Sequence, residues 1–177
     1  MRTLLEIYDP TTSDKNTNHS YITDVYEDLL KPFRHKAKNI LEIGTYEGGS
    51  LFMWRDYFDV AHIYGIESFK RKEIAEKRIT QIIADGYDDG VLAFLPSEFD
   101  IVIDDGPHSL PAQLKCIDLY LPLIKEGGLL IIEDIADYHT EKIIEVIKSK
   151  QVSGYKLYDL RANRDNRWDN IVLVVFK

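Results

Sequence analysis

This chain of 177 residues contains a single cysteine and no long apolar run. Its single cysteine, Cys116, can form neither an internal disulfide nor a cysteine zinc cluster, and a small buried residue on a helix is the simplest interpretation of it. No stretch approaches the roughly 18 apolar residues of a membrane-spanning helix, and the first residues contain no apolar signal segment. These absences predict a cytoplasmic protein with no membrane partner.

Positive charge is also scarce. The chain has 22 Lys+Arg against 30 Asp+Glu, a net charge of -8, and no basic run interrupts that balance. Such a surface repels a phosphate backbone, so nucleic acid is excluded as the main partner. With 45% hydrophobic residues the chain can bury one core, and we expect a single domain over residues 1–177, made of an N-terminal loop and helix (1–35) and an α/β core (36–177).

Short apolar runs alternate with helical repeats along most of the chain. Strands are predicted at 39–43, 63–66, 81–84, 100–103, 129–132, 155–160 and 171–176, helices at 21–30, 48–58, 70–77, 88–94, 111–124 and 140–148, and a polar loop at 9–20. This alternation predicts an α/β fold with a doubly wound, mostly parallel, seven-stranded Rossmann-like sheet. The last two strands have no helix between them and should form an antiparallel hairpin at the C-terminal end.

Two of the predicted strands end in paired carboxylates. One ends in Asp104 and Asp105, with His108 shortly after, and the other ends in Glu133 and Asp134. The carboxyl ends of parallel strands meet at one edge of a sheet, so both acidic pairs should converge on one crevice. Because adjacent strand residues point to opposite faces, Asp104 and Asp105 should have different roles, one towards a bound cofactor and one towards the crevice.

Carboxylates gathered at one crevice suit a hard divalent cation. Three of them, Asp105, Glu133 and Asp134, would supply oxygen ligands, and the absence of paired histidines and of a cysteine cluster argues against zinc. Magnesium is therefore the predicted ion. A hydroxyl held by such an ion has a lowered pKa, and His108 is placed to remove its proton. A lone Asp-Asp pair would be read more simply as a solvated strand end, but two pairs and a histidine favour a site.

A glycine turn follows the first predicted strand. Its glycines, Gly44 and Gly48, do not have the GxGxxG spacing of a dinucleotide site. Glu42, just before the turn, would repel a phosphate and suits a ligand with a cationic part, such as an ammonium or sulfonium. Glu67 ends the second strand, where a ribose-binding carboxylate is expected. The candidate cofactor-binding residues are Glu42, Gly44, Thr45, Tyr46, Gly48, Ser50, Glu67, Ser68, Asp85 and Asp104.

The glycine turn, Glu67 and the acidic end of the fourth strand together resemble class I S-adenosylmethionine-dependent methyltransferases. A narrower resemblance, to macrolide sugar O-methyltransferases of the mycinamicin type and to cephalosporin-hydroxylase-like proteins, covers residues 11–138. It rests on motifs in the same order: Asp14-Lys15 with His19 and Tyr21, Leu41-Glu42-Ile43-Gly44, Trp54 with Tyr57-Phe58, Asp104-Asp105-Gly106-Pro107-His108, and Gly127-Gly128 with Ile132-Glu133-Asp134.

The resemblance implies magnesium-dependent transfer of a methyl group from S-adenosylmethionine to a sugar hydroxyl. The metal-binding positions of the family match Asp105, Glu133 and Asp134, the catalytic-base position matches His108, and Asp105 is the second expected catalytic residue. Two departures from the family leave the acceptor open: Pro107 stands where family members often carry a serine, and many members carry extra amino-terminal sequence or insertions that shape the acceptor pocket.

Two other functions stay open at this point. The same fold could serve a noncatalytic module that binds S-adenosylmethionine or a nucleoside, or a methyltransferase that acts on a small phenol. The N-terminal loop with Lys15 and His19 either closes over the cofactor or merely packs on the sheet. Three aromatic residues, Tyr46, Tyr138 and Trp168, are candidates for stacking on a sugar or on adenine. Self-assembly into a homo-oligomer is a further open alternative.

Overall fold

Seven strands form one sheet in the computed structural model of the chain, which describes residues 2–69, 72–163 and 167–177. The strands are β1 (Asn39–Ile43), β2 (His62–Glu67), β3 (Ile79–Ile83), β4 (Phe99–Asp104), β5 (Ile124–Ile132), β6 (Gly154–Asp159) and β7 (Ile171–Phe176). Their order is β3-β2-β1-β4-β5-β7-β6. Strands β1 to β5 pair in parallel, and β7 is antiparallel to both β5 and β6. The predicted Rossmann-like sheet and its antiparallel C-terminal hairpin are confirmed.

Helices cover both faces of the sheet. The α-helices are α1 (Leu4–Ile7), α2 (Glu27–Leu30), α3 (Gly49–Tyr57), α4 (Leu110–Tyr120) and α5 (Asp137–Lys148). A π-helical turn (Ile22–Tyr26) precedes α2, and 3₁₀ turns cover Lys31–Phe33, Asp89–Phe94, Leu121–Leu123 and Arg161–Asn163. None of the helices that the structure describes is long and apolar enough to cross a membrane.

The helix predicted over the charged segment 70–77 is wrong for the residues of that segment that the structure describes. Residues 72–77 form no helix, and residues 70 and 71 lie outside the described part of the chain. Ile74 is the one large apolar side chain of this segment, and it is buried against the turn before α3. A short helix needs a buried apolar face, because helix propensity alone does not hold it.

Other helices also differ from the predictions. The helix predicted over 111–124 ends at Tyr120, and Ile124 already belongs to β5. Pro122 explains the early end, because it has no backbone N–H to donate to the carbonyl of Asp118 and its ring crowds that carbonyl. Helix α1 was not predicted, although Thr3 and Glu6 form a capping box at its start and Leu4 is fully buried.

The two faces of the sheet pack against different parts of the chain. One apolar layer joins Ile40 of β1 to Tyr26 of the π-helical turn and to Trp54 of α3. The other joins Leu41 of β1 to Ile117 of α4 and to helix α5. Because successive strand residues alternate between the faces, Glu42 points to the N-terminal side and Asp104 points to the side of α4. This alternation decides which acidic side chains can meet.

Candidate active site

A cavity of about 970 Å³ opens at the carboxyl ends of β1, β2 and β4. It is lined by Pro10, Thr11, Thr12, Ser13, Asp14, Lys15, Thr17, Asn18, Ile43, Gly44, Thr45, Tyr46, Ser50, Ile66, Glu67, Ser68, Asp85, Gly86, Tyr87, Asp105, Gly106 and Pro107. The strand ends supply one wall and the N-terminal loop supplies the other. The loop therefore does more than pack on the sheet, because its own residues enclose the space.

Asp105, His108 and Asp134 form a potential cation site next to this cavity. One ligand atom from each lies within 4.8 Å of the others. The Nε2 atom of His108 lies 3.3 Å from Asp105 Oδ1 and 3.5 Å from Asp134 Oδ2. His108 and Asp134 both have positive φ angles, 54° and 51°, which side-chain-bearing residues seldom adopt. Such backbone strain persists where the surrounding structure holds it, and it concentrates at functional sites.

Lys15 lies among the carboxylates of Glu42, Asp105 and Glu133, which together with Asp134 form the acidic cluster. Its Nζ atom lies 2.7 Å from Asp105 Oδ2, 2.5 Å from Glu133 Oε2 and 3.3 Å from Glu42 Oε1. Only 1% of Lys15 is exposed. The N-terminal loop thus reaches the ends of three neighbouring strands through one ammonium group.

Two tyrosine hydroxyls complete the cluster. Tyr26 donates a hydrogen bond to Glu133, and Tyr21 donates one to Asp134. The ring of His19 stacks on Tyr21 with centroids 4.4 Å apart, and His19 Nδ1 lies 3.4 Å from Asp134 Oδ1. Sequence reasoning missed Tyr26, whose helical spacing with apolar neighbours indicates only a core residue.

Burial and charge shift the pKa values of this cluster in opposite directions. Burial would lower the pKa of Lys15, but Asp105, Glu133 and Glu42 together raise it well above its usual value. Burial would raise the pKa of Asp105, but Lys15 and His108 bring it below its usual value. For Glu133 and Asp134 burial prevails and raises both pKa values, even though Lys15 and His108 oppose the shift. A further cation would stabilise the ionised forms of these two carboxylates.

The donor set fits a divalent cation in part. The carboxylates of Asp105 and Asp134 offer the oxygen ligands that magnesium prefers, and His108 stands beside them. Glu133, the third predicted ligand, is engaged through both oxygens, with Lys15 at one and Tyr26 at the other. The structure therefore brings Asp105 and Asp134 together as predicted and gives Glu133 partners from the N-terminal segment.

Most of the predicted cofactor-binding residues line the cavity. They are Gly44, Thr45, Tyr46, Ser50, Glu67, Ser68 and Asp85. The carboxylate of Glu67 is oriented by backbone N–H groups, from Tyr46 at 2.7 Å and from Ser68 at 2.9 Å. Gly44 has a φ angle of 82°, and a Cβ there would lie 1.9 Å from the carbonyl oxygen of Asp105. Glycine thus allows the turn after β1 to touch the end of β4.

Glu42, Gly48 and Asp104 do not line the cavity. Glu42 is fully buried and accepts a hydrogen bond of 2.5 Å from Ser50, so the ammonium it meets is that of Lys15. A Cβ at Gly48 would collide with Ile74 at 2.1 Å, outside the cavity. Asp104 points to the side of α4, where it accepts a hydrogen bond of 2.5 Å from Tyr87. Burial raises the pKa of Asp104 to about 6.

The three aromatic candidates lie in two places on the surface. Tyr46 is exposed and lines the cavity. Tyr138 and Trp168 are exposed and stack on each other, with ring centroids 5.9 Å apart and planes inclined by 12°. The backbone N–H of Asp137 donates to the carbonyl of Trp168, which ties this pair to the segment that follows Asp134. Stacking on a ligand remains a prediction for all three.

Known proteins match both the sequence and the fold. A family described as "Methyltransferase domain" matches residues 41–135. A tetracenomycin rhamnosyl 3'-O-methyltransferase of Streptomyces olivaceus is 36% identical over 133 residues, which are 70% of this chain and 34% of the relative. Mycinamicin VI 2''-O-methyltransferase of Micromonospora griseorubida is 32% identical over 125 residues, 65% of this chain and 31% of the relative.

A solved structure is similar over almost the whole chain. The MycE methyltransferase in complex with Mg, SAH and mycinamycin VI superposes with a TM-score of 0.81 at 26% identity, covering 99% of this chain and 54% of that chain. The fold and the site thus define a class I methyltransferase domain. The chain belongs to the methyltransferase family whose domain spans residues 41–135. It spans about a third of the length of the two curated relatives described above.

Proposed function

We propose that this chain is an S-adenosylmethionine-dependent O-methyltransferase that uses magnesium and acts on a hydroxyl of a sugar or similar small molecule. One observation carries the proposal: the cavity behind the glycine turn adjoins the Asp105–His108–Asp134 cluster, with Asp105 belonging to both. A cofactor in the cavity and an acceptor at the cluster would then be neighbours. Holding two reactants in this way supplies much of the rate enhancement of a transfer reaction.

The cavity residues supply recognition of the cofactor in this proposal. The carboxylate of Glu67, held in place by two backbone N–H groups, can accept hydrogen bonds from ribose hydroxyls. The close approach of Gly44 to Asp105 sets the distance between the cofactor side and the acceptor side. Residues 10–15, 17 and 18 of the N-terminal loop line the cavity and would cover a bound cofactor.

The cluster supplies the acid–base chemistry. When bound, S-adenosylmethionine supplies an electrophilic methyl group and magnesium lowers the pKa of an acceptor hydroxyl. Asp105 and Asp134 would hold the ion. With Nε2–H of His108 donated to Asp105 Oδ1 at 3.3 Å, the other ring nitrogen, Nδ1, would take the proton of the hydroxyl as the hydroxyl oxygen attacks the methyl group and S-adenosylhomocysteine leaves.

The sugar acceptor is supported by the relatives. Those compared above are named for methylating rhamnosyl or mycinamicin hydroxyls, and MycE was solved with mycinamycin VI. Location in the cytoplasm, absence of a nucleic-acid or membrane partner, and self-assembly stay predictions from the sequence.

Transfer of a labelled methyl group tests this function. The protein is incubated with methyl-labelled S-adenosylmethionine and with a rhamnosyl acceptor, mycinamicin VI or a small phenol, in magnesium or in excess EDTA. We expect a labelled acceptor only with magnesium. Label that appears equally in EDTA would contradict the role of the ion. A protein that binds the cofactor but labels no sugar or phenol would be the noncatalytic module instead.

A further inference from the structure

A buried lysine joins parts of the site that are remote in sequence. Lys15 contacts Glu42 of β1, Asp105 just after β4 and Glu133 just after β5. These three strands are neighbours in the sheet. The neighbours of Lys15 in the chain also line the cavity, namely Ser13, Asp14, Thr17 and Asn18. One side chain therefore links the outer wall of the cavity to the strand ends beneath it.

The charge of Lys15 matters more than its bulk in this position. Removing one partner from a buried ion pair leaves an uncompensated charge, which is strongly destabilising, whereas replacing both partners by uncharged groups is often neutral. Lys15 is the ammonium that offsets Glu42 and Glu133, both of which are 0–1% exposed. Its bond to Asp105 Oδ2 leaves Asp105 Oδ1 directed at His108.

We propose that Lys15 is a positioning residue that acts as the fixed internal cation of the acidic cluster. It holds Asp105 so that Oδ1 faces His108, and it neutralises the inner carboxylates so that a divalent cation is held at the outer ones, Asp105 and Asp134. The link to catalysis rests on the proposed function. The charge balance itself does not, and it can be measured without cofactor or acceptor.

Lys15→Met tests the charge because it keeps the length of the side chain and removes the ammonium. Lys125→Met is the matched control, since Lys125 pairs with the buried Asp100 at the opposite end of β4. The measurements are the thermal midpoint of EDTA-treated protein, its rise on adding Mn²⁺, and the Mn²⁺ affinity from electron paramagnetic resonance, all without cofactor.

We expect Lys15→Met to lower the midpoint of the metal-free protein more than Lys125→Met does. Mn²⁺ should restore most of that loss and should bind at least about tenfold more tightly than to wild type, because no ammonium competes for Asp105. Turnover should nevertheless fall at least about tenfold, since Asp105 is no longer fixed beside His108. Lys15→Arg should keep most of the turnover.

A charge-balanced double variant separates this role from simple packing. In Lys15→Met with Glu133→Gln, one cation and one carboxylate are removed together, and the metal-free midpoint should return towards that of wild type. If Lys15→Met does not fold but the double variant does, the proposal stands. If neither folds, or if Lys15→Met loses Mn²⁺ affinity, Lys15 is a packing residue and the proposal is wrong. Protein that binds Mn²⁺ as expected but not S-adenosylhomocysteine would overturn the proposed function alone.

Discussion

The two ends of β4 carry the same pair of chemical groups in different surroundings. At the amino end Asp100 accepts backbone hydrogen bonds from Lys38 at 2.7 Å and from Asn39 at 3.0 Å, and it pairs with the partly exposed Lys125. At the carboxyl end Asp105 pairs with the buried Lys15 and with His108. Both ends therefore contain a carboxylate and a lysine.

The balance of charge separates the two ends. Asp100 has its own donors, and although burial opposes them, the hydrogen bonds from Lys125 and from the backbone lower its pKa. At the other end the carboxylates of Glu42, Asp105 and Glu133 share the ammonium of Lys15. Burial raises the pKa of Glu133 well above its usual value despite that ammonium. A fold that gathers more buried acid than it neutralises is suited to an external cation.

The largest expected effect is that of replacing His108, which lies at the opposite end of the sheet from His62. His108→Ala should lower turnover by about 10²–10⁴-fold, because the group that takes the acceptor proton is lost. Affinity for S-adenosylhomocysteine should change by less than about twofold, since the ring does not line the cavity. Steady-state kinetics and calorimetry measure the two quantities.

His62→Ala provides the control for that variant. His62 begins β2 at the amino end, where its Nε2 atom lies 2.8 Å from Thr80 Oγ1. Turnover should stay near that of wild type. Equal losses of turnover in the two variants would mean that His108 acts through stability and is not the base.

A smaller effect, on the affinity for the ion, is expected when the aspartate at the carboxyl end of β4 is neutralised. Asp105→Asn should weaken Mg²⁺ or Mn²⁺ binding by at least about tenfold, because it removes a charged oxygen ligand. Asp100→Asn should leave the affinity for the ion unchanged. Titration with Mn²⁺ measures both, and a shared loss would show that the ion responds to general stability.

The smallest effect is the pH dependence contributed by Asp100. Its pKa in the folded chain is lowered from 3.8, so its stabilising contribution is present above the unfolded value and is lost as pH falls through the folded value. Wild type should exceed Asp100→Asn in free energy of unfolding at about pH 6, and the difference should shrink at about pH 3. Urea unfolding at both pH values measures it. A constant difference would mean that the carboxylate charge of Asp100 does not stabilise the fold.

The sequence predicted the scaffold because its signals are local. Apolar runs such as Ile101–Ile103 and the acidic residues that follow them are contiguous, and parallel strands carry their ends to one edge. The convergence of Asp105, His108 and Asp134 follows from that rule alone.

The partners of the acidic cluster were less predictable because they come from far along the chain. Lys15 is 90 residues from Asp105 and 118 from Glu133. Only the resemblance drew attention to Lys15, and no spacing signal distinguishes Tyr26 from a core residue. The positive φ angles of His108 and Asp134 also lie outside what residue propensities indicate. Packing, rather than local preference, assembles this half of the site.

Calorimetric titration with S-adenosylhomocysteine, with and without magnesium, tests the central claim most directly. We expect saturable binding of one cofactor per chain without the ion, because the cavity residues Glu67 and Gly44 do not bind the magnesium ion. Glu67→Gln should weaken that binding, and Asp134→Asn, at a residue that does not line the cavity, should leave it within about twofold. No binding at millimolar cofactor to protein that is folded by circular dichroism would contradict the claim that this cavity serves a methyltransferase.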